Sequence, residues 1–435
     1  MNLSLCGTVA ECTSAPSIAT LHVAASPAAH AEAKDQGWRV LAILSTLMGF
    51  ASISTDLYLP AMPAMAMTLH ADAGSVAWTI SGYLIGFAAG QLFWGPFSDR
   101  YGRKIPITLG LLLFMVGSAG CALSTSLGSM IAWRLVQAAG ACAGVTLGRA
   151  MVRDLYEGDR AARMMSTLMT VMMIAPLVGP IIGGQILRVV SWSAIFWTLV
   201  GIGFATLIAV QMLPETLPVH RRNEESLLRA LGAYPALLSN SRLLAYAGVG
   251  GFFYGGIFAY VAGTPFAYIV FHHVTPQHYG FLFAAGTLGI MLTNMLNARL
   301  VVRFGSDRLL QFGALGAAIA ACLAALAART DWGDLLGLAV PLFFVASMSG
   351  LIVANSISGA LSIFPTRSGA VSAIVGATQY GSGVIGSALV GVFADGTPWP
   401  LGWIVAVCGI GTAVCAVALK MRSEHAISAP GQSTQ

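Results

Sequence analysis

The sequence predicts an all-α membrane protein with twelve transmembrane helices in two six-helix halves, on three observations. Apolar residues fill 57% of the 435 positions and charged residues only 9%, against roughly 25% charged in soluble domains. Windows of about 20 apolar residues, long enough to cross a hydrocarbon core, recur along the chain. The longest polar interruption, 214–242, leaves as many such windows before it as after it.

In order, the spans fall at 39–66, 75–97, 105–124, 127–149, 164–187 and 192–213, then at 243–271, 277–299, 309–328, 335–357, 368–393 and 399–419. Backbone groups in lipid must be satisfied within their own segment, so each span reads as a helix; the alternating pattern of a barrel strand is absent. The domain reading is a disordered cytoplasmic tail over 1–37, a first half over 38–213, a linker over 214–242, a second half over 243–420 and a tail over 421–435. Glu224, Glu225 and Arg229 at near-helical spacing predict a short surface helix in the linker.

With both termini inside, all but Arg134, Arg188 and Arg329 of the 22 Lys and Arg fall in cytoplasmic segments. That bias sets the orientation, and the net charge of +5 reports topology rather than affinity for nucleic acid. The first 37 residues lack the basic start and apolar run of a secretory signal. Cys121, Cys142, Cys322, Cys408 and Cys415 lie in spans and Cys6 and Cys12 in the tail, a distribution that suggests neither disulfides nor a metal site.

A weak internal repeat supports duplicated halves. Arg100-Tyr101-Gly102 recurs as Arg303-Phe304-Gly305, each between the second and third spans of its half, and Gly183 and Gly386 match at the same offset. Parallel six-helix repeats with a site between them near the midplane describe a transporter. In the second copy Val302 stands where the first has Asp99.

Asp56 is the sole one of 17 acidic residues that falls within a span, and the histidines lie in tails, loops or, for His278, at the very edge of a span. A carboxylate at membrane depth costs roughly 2.5–3.5 kcal/mol on insertion scales, so it reads as functional with a partner to be named. Arg134 in the fourth span is the predicted partner, at a similar depth by helical rise. The pair reads either as a proton carrier or as a fixed ion pair joining the first and fourth helices. An enzyme would need clustered catalytic groups, which these spans lack, and no phosphate-binding Gly-x-x-x-x-Gly-Lys loop is present.

The stretch Gly95-Pro96-Phe97-Ser98-Asp99-Arg100-Tyr101-Gly102-Arg103-Lys104 resembles the signature loop of the major facilitator superfamily. Further stretches resemble its twelve-helix drug:proton antiporters of the Bcr/CflA group. These are Asp56-Leu57-Tyr58-Leu59-Pro60-Ala61-Met62-Pro63, Arg134-Leu135-Val136-Gln137 followed by Gly140 and Gly144, and Ala175-Pro176-Leu177-Val178-Gly179-Pro180-Ile181-Ile182-Gly183-Gly184. Gly148–Leu155 and Phe364–Gly369 also look like that group, and the likeness spans about 39–420.

The resemblance implies the major facilitator fold and proton-driven export of small hydrophobic or amphiphilic compounds across a bacterial inner membrane. It implies a monomer working without cofactors or metal, with protons and a small-molecule drug as its partners in the lipid bilayer. Gly95, Asp99, Arg100, Gly102 and Arg103 would gate the cytoplasmic face, Asp99 meeting the start of the eleventh helix near Ser368 and Gly369. Gly179, Pro180, Gly183 and Gly184 would pack the fifth helix against the eleventh, at Gly376, Gly381, Gly383 and Gly386. Tyr58, Gln137, Tyr254, Phe258 and Tyr380 are the candidate cavity residues. Relatives that expel lipophilic cations often carry another acid earlier in the first helix, and Met48–Thr55 has none. Neutral or zwitterionic drugs of the phenicol or bicyclomycin kind are therefore expected, with export of a metabolite such as an amino acid or sugar as the alternative.

Overall fold

The structure is a computed structural model describing residues 27–156, 158–217, 222, 237–364 and 368–428. The chain divides into a small unit, Met1–Val40, and a large one, Leu41–Gln435, which carries the bundle. Eleven helices among the described residues are long and apolar enough to cross a membrane. They are α1 (Arg39–Thr68), α2 (Gly74–Tyr101), α3 (Lys104–Ala122), α4 (Leu127–Leu155), α5 (Arg163–Val189), α6 (Trp192–Gln211), α7 (Ser241–Phe271), α8 (Pro276–Phe304), α9 (Ser306–Thr330), α10 (Asp334–Ile363) and α12 (Trp399–Leu419). The helix Ser368–Val392, α11, supplies the remaining predicted span.

One boundary differs from the sequence reading. Helix already forms at Pro27, inside the segment expected to be a disordered tail. The stretch Pro27-Ala28-Ala29-His30-Ala31-Glu32-Ala33 starts with a proline suited to a first turn and continues in the strongest helix former. The predicted helix at 224–229 lies outside the described residues.

Helix starts follow local chemistry. Asp72 accepts from Ser75 N at 2.6 Å ahead of α2, and Asn240 from Arg242 N at 3.1 Å and Leu243 N at 2.9 Å at the start of α7. Thr275 does the same for α8. Each satisfies amides that the first turn leaves open. The repeated turn ends α2 and α8 alike, because Gly102 (φ +87°) and Gly305 (φ +79°) adopt backbone angles that a side chain disfavours.

Within the large unit each half has its own core: α4 packs on α2 and α3 and α6 on α3, while α10 packs on α8 and α9 and α12 on α9. The halves meet through two related pairs, α2 with α11 and α5 with α8. Ser81 bonds Ser387 at 2.8 Å in the first pair, and Gln277 donates to the Gly184 carbonyl at 3.2 Å in the second. These contacts lie toward the end that carries the α1–α2 and α7–α8 connections. Toward the opposite, basic end a Cβ added at Gly95, Gly376 or Gly381 would meet no described atom within 4 Å.

The pairing corrects one expectation. The small residues of α5 pack on α8 and α1, not on α11: Gly184 approaches Pro276 O and Gly280 approaches Pro180 O, each leaving 2.8 Å for a Cβ. Gly383 and Gly386 instead face Phe258 and Gly255 of α7. Two-fold related halves place α5 beside α8 as they place α11 beside α2, and a sequence motif on one helix does not carry that information.

Candidate functional site

Pro60 and Pro63 lack backbone N–H groups, so the carbonyls four residues earlier lose their helical donors. The helix accordingly stops at Asp56, passes through a tight turn at Leu59–Ala61 and resumes over Met62–Thr68. The break is buried, and Asp56 keeps only 7% of its surface exposed. Thr55 Oγ1 lies 3.3 Å from Asp56 Oδ1. Gly179 packs against the Asp56 side chain, and a Cβ at Gly183 would overlap the Leu57 carbonyl oxygen. The α5 motif is thus the complement of the broken helix. Tyr260 of α7 and Tyr279 of α8 lie within electrostatic range of the carboxylate, so Asp56 sits where the halves meet.

Arg134 does not pair with Asp56, contrary to the sequence expectation. Its Nη1 donates to the Ser54 carbonyl at 2.9 Å and to Gln137 Oε1 at 2.7 Å. The guanidinium lies 4.1 Å from the Tyr58 ring centre and 4.4 Å from that of Tyr83. Such cation–π contacts are worth about 2 kcal/mol each when water is excluded. Gln137 is fixed in turn by donating to Ser118 at 2.8 Å, and Tyr58 by Thr79 at 3.1 Å. Two aromatic faces and a carbonyl on α1 and α2 outcompete the carboxylate because they are already within reach of α4. Nε and Nη2 of Arg134 have no hydrogen-bond partner among the described residues.

This arrangement also corrects two cavity assignments. Tyr58 and Gln137 have no exposed surface and belong to the arginine cage, not to a cavity wall. The other three candidates come together. Tyr254 lies 6.1 Å from Phe258 and 6.1 Å from Tyr380, and Tyr380 lies 5.1 Å from Phe87. Phe87 stacks on Tyr83 at 6.3 Å, so rings run from the arginine cage across to the second half.

Sequence reading missed several members. Tyr83 and Phe87 were indistinguishable from lipid-facing aromatics, and only the α2–α11 pairing reveals them. Arg149, counted as a topology-setting charge, lies within electrostatic range of Tyr254 and Tyr380. Gln379 is 4% exposed with Nε2 unpartnered among the described residues; its place beside the singled-out Tyr380 was the available signal.

At the basic end, Arg103 is the hub of the predicted gating loop. It bonds Asp99 Oδ1 at 2.7 Å, Asp154 Oδ2 at 2.8 Å and Ser98 Oγ at 2.6 Å. Asp99 is therefore held on its own turn; the side chain of Ser368 lies outside the described residues. Arg100 is exposed and rests on Tyr101. Glu215, unremarked in the sequence, accepts from Arg103 N at 2.8 Å, Lys104 N at 3.1 Å and Leu217 N at 3.0 Å. Burial works against its charge, but these amides hold the carboxyl below its usual range.

One cluster was invisible to sequence spacing. His272, Asp331 and Asp334 bring ligand-type atoms within 4.8 Å of one another, and His272 Nδ1 lies 2.8 Å from Asp334 Oδ1. The residues tie the end of α7 to the start of α10.

The family model described as Major Facilitator Superfamily matches residues 44–272 and 256–435. The chain is 30% identical over 370 residues to a bicyclomycin resistance protein homolog of Haemophilus influenzae, covering 85% of this chain and 92% of that protein. It is 30% identical over 382 residues to a chloramphenicol resistance protein of Pseudomonas aeruginosa, covering 85% and 88%. Among solved structures, the xylose transporter XylE from E. coli in a partially occluded inward open conformation superposes with a TM-score of 0.70 at 14% identity, covering 88% of this chain and 97% of that one.

Proposed function

Because this chain belongs to the major facilitator superfamily, we propose that it is a proton-coupled antiporter that exports small neutral or zwitterionic drugs, of the phenicol or bicyclomycin kind. Its relatives named for bicyclomycin and chloramphenicol resistance support drug efflux by a transporter rather than an enzyme. The observation that carries the coupling is Asp56. It is a buried carboxylate at a helix break, with no basic partner among the described residues, set between the two halves.

Such a group exchanges a proton with whichever side the halves expose, and rocking of the halves changes its surroundings. Arg134, held by its cage, acts as a fixed positive charge that keeps α1 registered on α4 rather than as the proton's partner. Tyr254, Phe258 and Tyr380, with Phe87, offer apolar and aromatic surface for a neutral substrate. We read the basic end as cytoplasmic, so substrate enters from inside. Both termini are then cytoplasmic and the membrane is the bacterial inner membrane. One proton moving inward supplies roughly 2.3 kcal/mol per 100 mV, so neither nucleotide nor other cofactor is required, and a monomer is sufficient.

The reading is tested by chloramphenicol accumulation in an efflux-deficient bacterium. Cells carrying the chain should accumulate several-fold less drug, and a protonophore should abolish the difference. Unchanged accumulation would contradict drug export, and a difference that survives the protonophore would contradict proton coupling.

A further inference from the structure

The matched contacts of the two halves, Gly183 on the Leu57 carbonyl and Gly386 on that of Gly255, place Tyr254 where the first half has Asp56. The rings around it come from both halves: Phe258 and Tyr380 lie 6.1 Å from Tyr254, and Phe87 of α2 lies 5.1 Å from Tyr380. Tyr254, Phe258 and Tyr380 each keep part of their surface exposed. Aromatic faces attract organic cations, so left to themselves these rings would favour a lipophilic cation.

One charge opposes that preference. Arg149 lies inside α4, about 9 Å before its end at Leu155 by helical rise. Cys142, Thr146 and Arg149 form one stripe of that helix at i, i+4 and i+7, with Cys142 Sγ 3.5 Å from Thr146 Oγ1. Both ends of the stripe lie within electrostatic range of Tyr380, and Arg149 also of Tyr254, so the stripe faces the rings. Arg149 is exposed and has no ion pair or hydrogen bond among the described residues. No described carboxylate acts on Tyr254, and Asp99 and Asp154, the acids nearest that end of α4, are both held by Arg103. Gln379, next to Tyr380, adds the unpartnered Nε2 beside Gly250, one turn from Tyr254 on α7. The open polar groups around the rings are therefore donors, which call for an acceptor.

We propose that Arg149 is the charge filter of the ring series: it turns away the permanent organic cations that the rings would otherwise hold, and its planar fork takes the two-oxygen group, carboxylate or nitro, of an aromatic substrate. An ammonium or phosphonium group meets like charge there. This takes the ring series as the substrate site of the proposed exporter and assigns to it aromatic compounds that are neutral or zwitterionic overall.

Tritiated tetraphenylphosphonium is the first probe, with the full chain in lipid nanodiscs and empty nanodiscs as background. The wild type should show no saturable binding, whereas Arg149→Gln should acquire it and Arg149→Glu should bind about tenfold tighter still. Arg149→Lys should stay like the wild type, and so should Arg153→Gln, which removes an exposed arginine one turn away. The second arm compares chloramphenicol with its 4-amino analogue, whose ring bears an amine in place of the nitro group. The wild type should favour chloramphenicol about tenfold, and Arg149→Gln should lose that preference. Saturable phosphonium binding by the wild type, its absence from Arg149→Glu, an equal gain in Arg153→Gln, or equal wild-type affinity for the two analogues would each overturn the proposal. Neither arm measures transport, so the filter can fail while chloramphenicol export in cells stands, and export can fail while the filter's binding pattern holds.

Discussion

Gly183 of α5 sits against the Leu57 carbonyl of α1, and Gly386 of α11 sits against the Gly255 carbonyl of α7, the same contact in each half. In the first half it falls where α1 breaks beside Asp56; in the second, α7 runs on as helix to Thr264 before its last turns loosen at Pro265–Phe271. The contrast extends to the buried polar groups. The first half holds a caged arginine and a carboxylate, whereas the second holds a neutral amide pair, Asn355 donating to Asn297 at 2.7 Å, and several buried tyrosines. At the basic end, Glu215 closes on Gly102, while nothing lies within 4 Å of the corresponding position at Gly305. The related halves thus differ chemically: buried charge and its bracing are concentrated in one half, neutral polar groups in the other.

The sharpest way to break this contrast is to empty the polar core of each half. Arg134→Ala removes a large side chain from between two rings and should cost about 3–5 kcal/mol, lowering the melting midpoint in detergent strongly. Asn355→Ala should cost about 1–2 kcal/mol. Equal costs would mean that the charge in the first half carries no special structural weight.

Glycine substitutions probe the shared contact at a smaller scale. Gly183→Ala and Gly386→Ala each force a methyl into a backbone carbonyl, an overpacking worth about 1–3 kcal/mol. Both should slow drug efflux severalfold, Gly183→Ala more, because it also disturbs the break beside Asp56. Gly381→Ala, with open space around it, should leave efflux unchanged.

The smallest expected effect is at Glu215. Its carboxyl is held below the ordinary 4.5, so its contribution is present above that pH and is lost as pH falls through the folded value. At a partly exposed site the contribution is under about 1 kcal/mol. Glu215→Gln should therefore lower the melting midpoint slightly at pH 7 and flatten its decline below pH 4.5; an unchanged acid profile would remove Glu215 from the brace.

Much of the fold was legible in the chain, because span length and apolar composition are set by the bilayer and need no tertiary information. The Gly102 and Gly305 turns were legible too, since backbone angles unsuited to side chains leave glycine at fixed places. Helix pairing was not: the α5 motif announces close packing, but its partner α8 follows from the pseudo-two-fold arrangement. Asp56 and Arg134 stood out by charge, yet matching depth says nothing of azimuth, and the rings of Tyr58 and Tyr83 took the place assigned to the carboxylate. Glu215 lay at the edge of a linker, where an acid looks like any other.

The central claim is that Asp56 carries the proton, and it is tested most directly by drug-evoked proton release in everted membrane vesicles holding the wild type or Asp56→Asn. Chloramphenicol added to an energised, acid-loaded lumen should collapse the pH gradient with the wild type and have no effect with Asp56→Asn. Equal release from both forms would contradict the account and make Asp56 a structural residue of the α1 break.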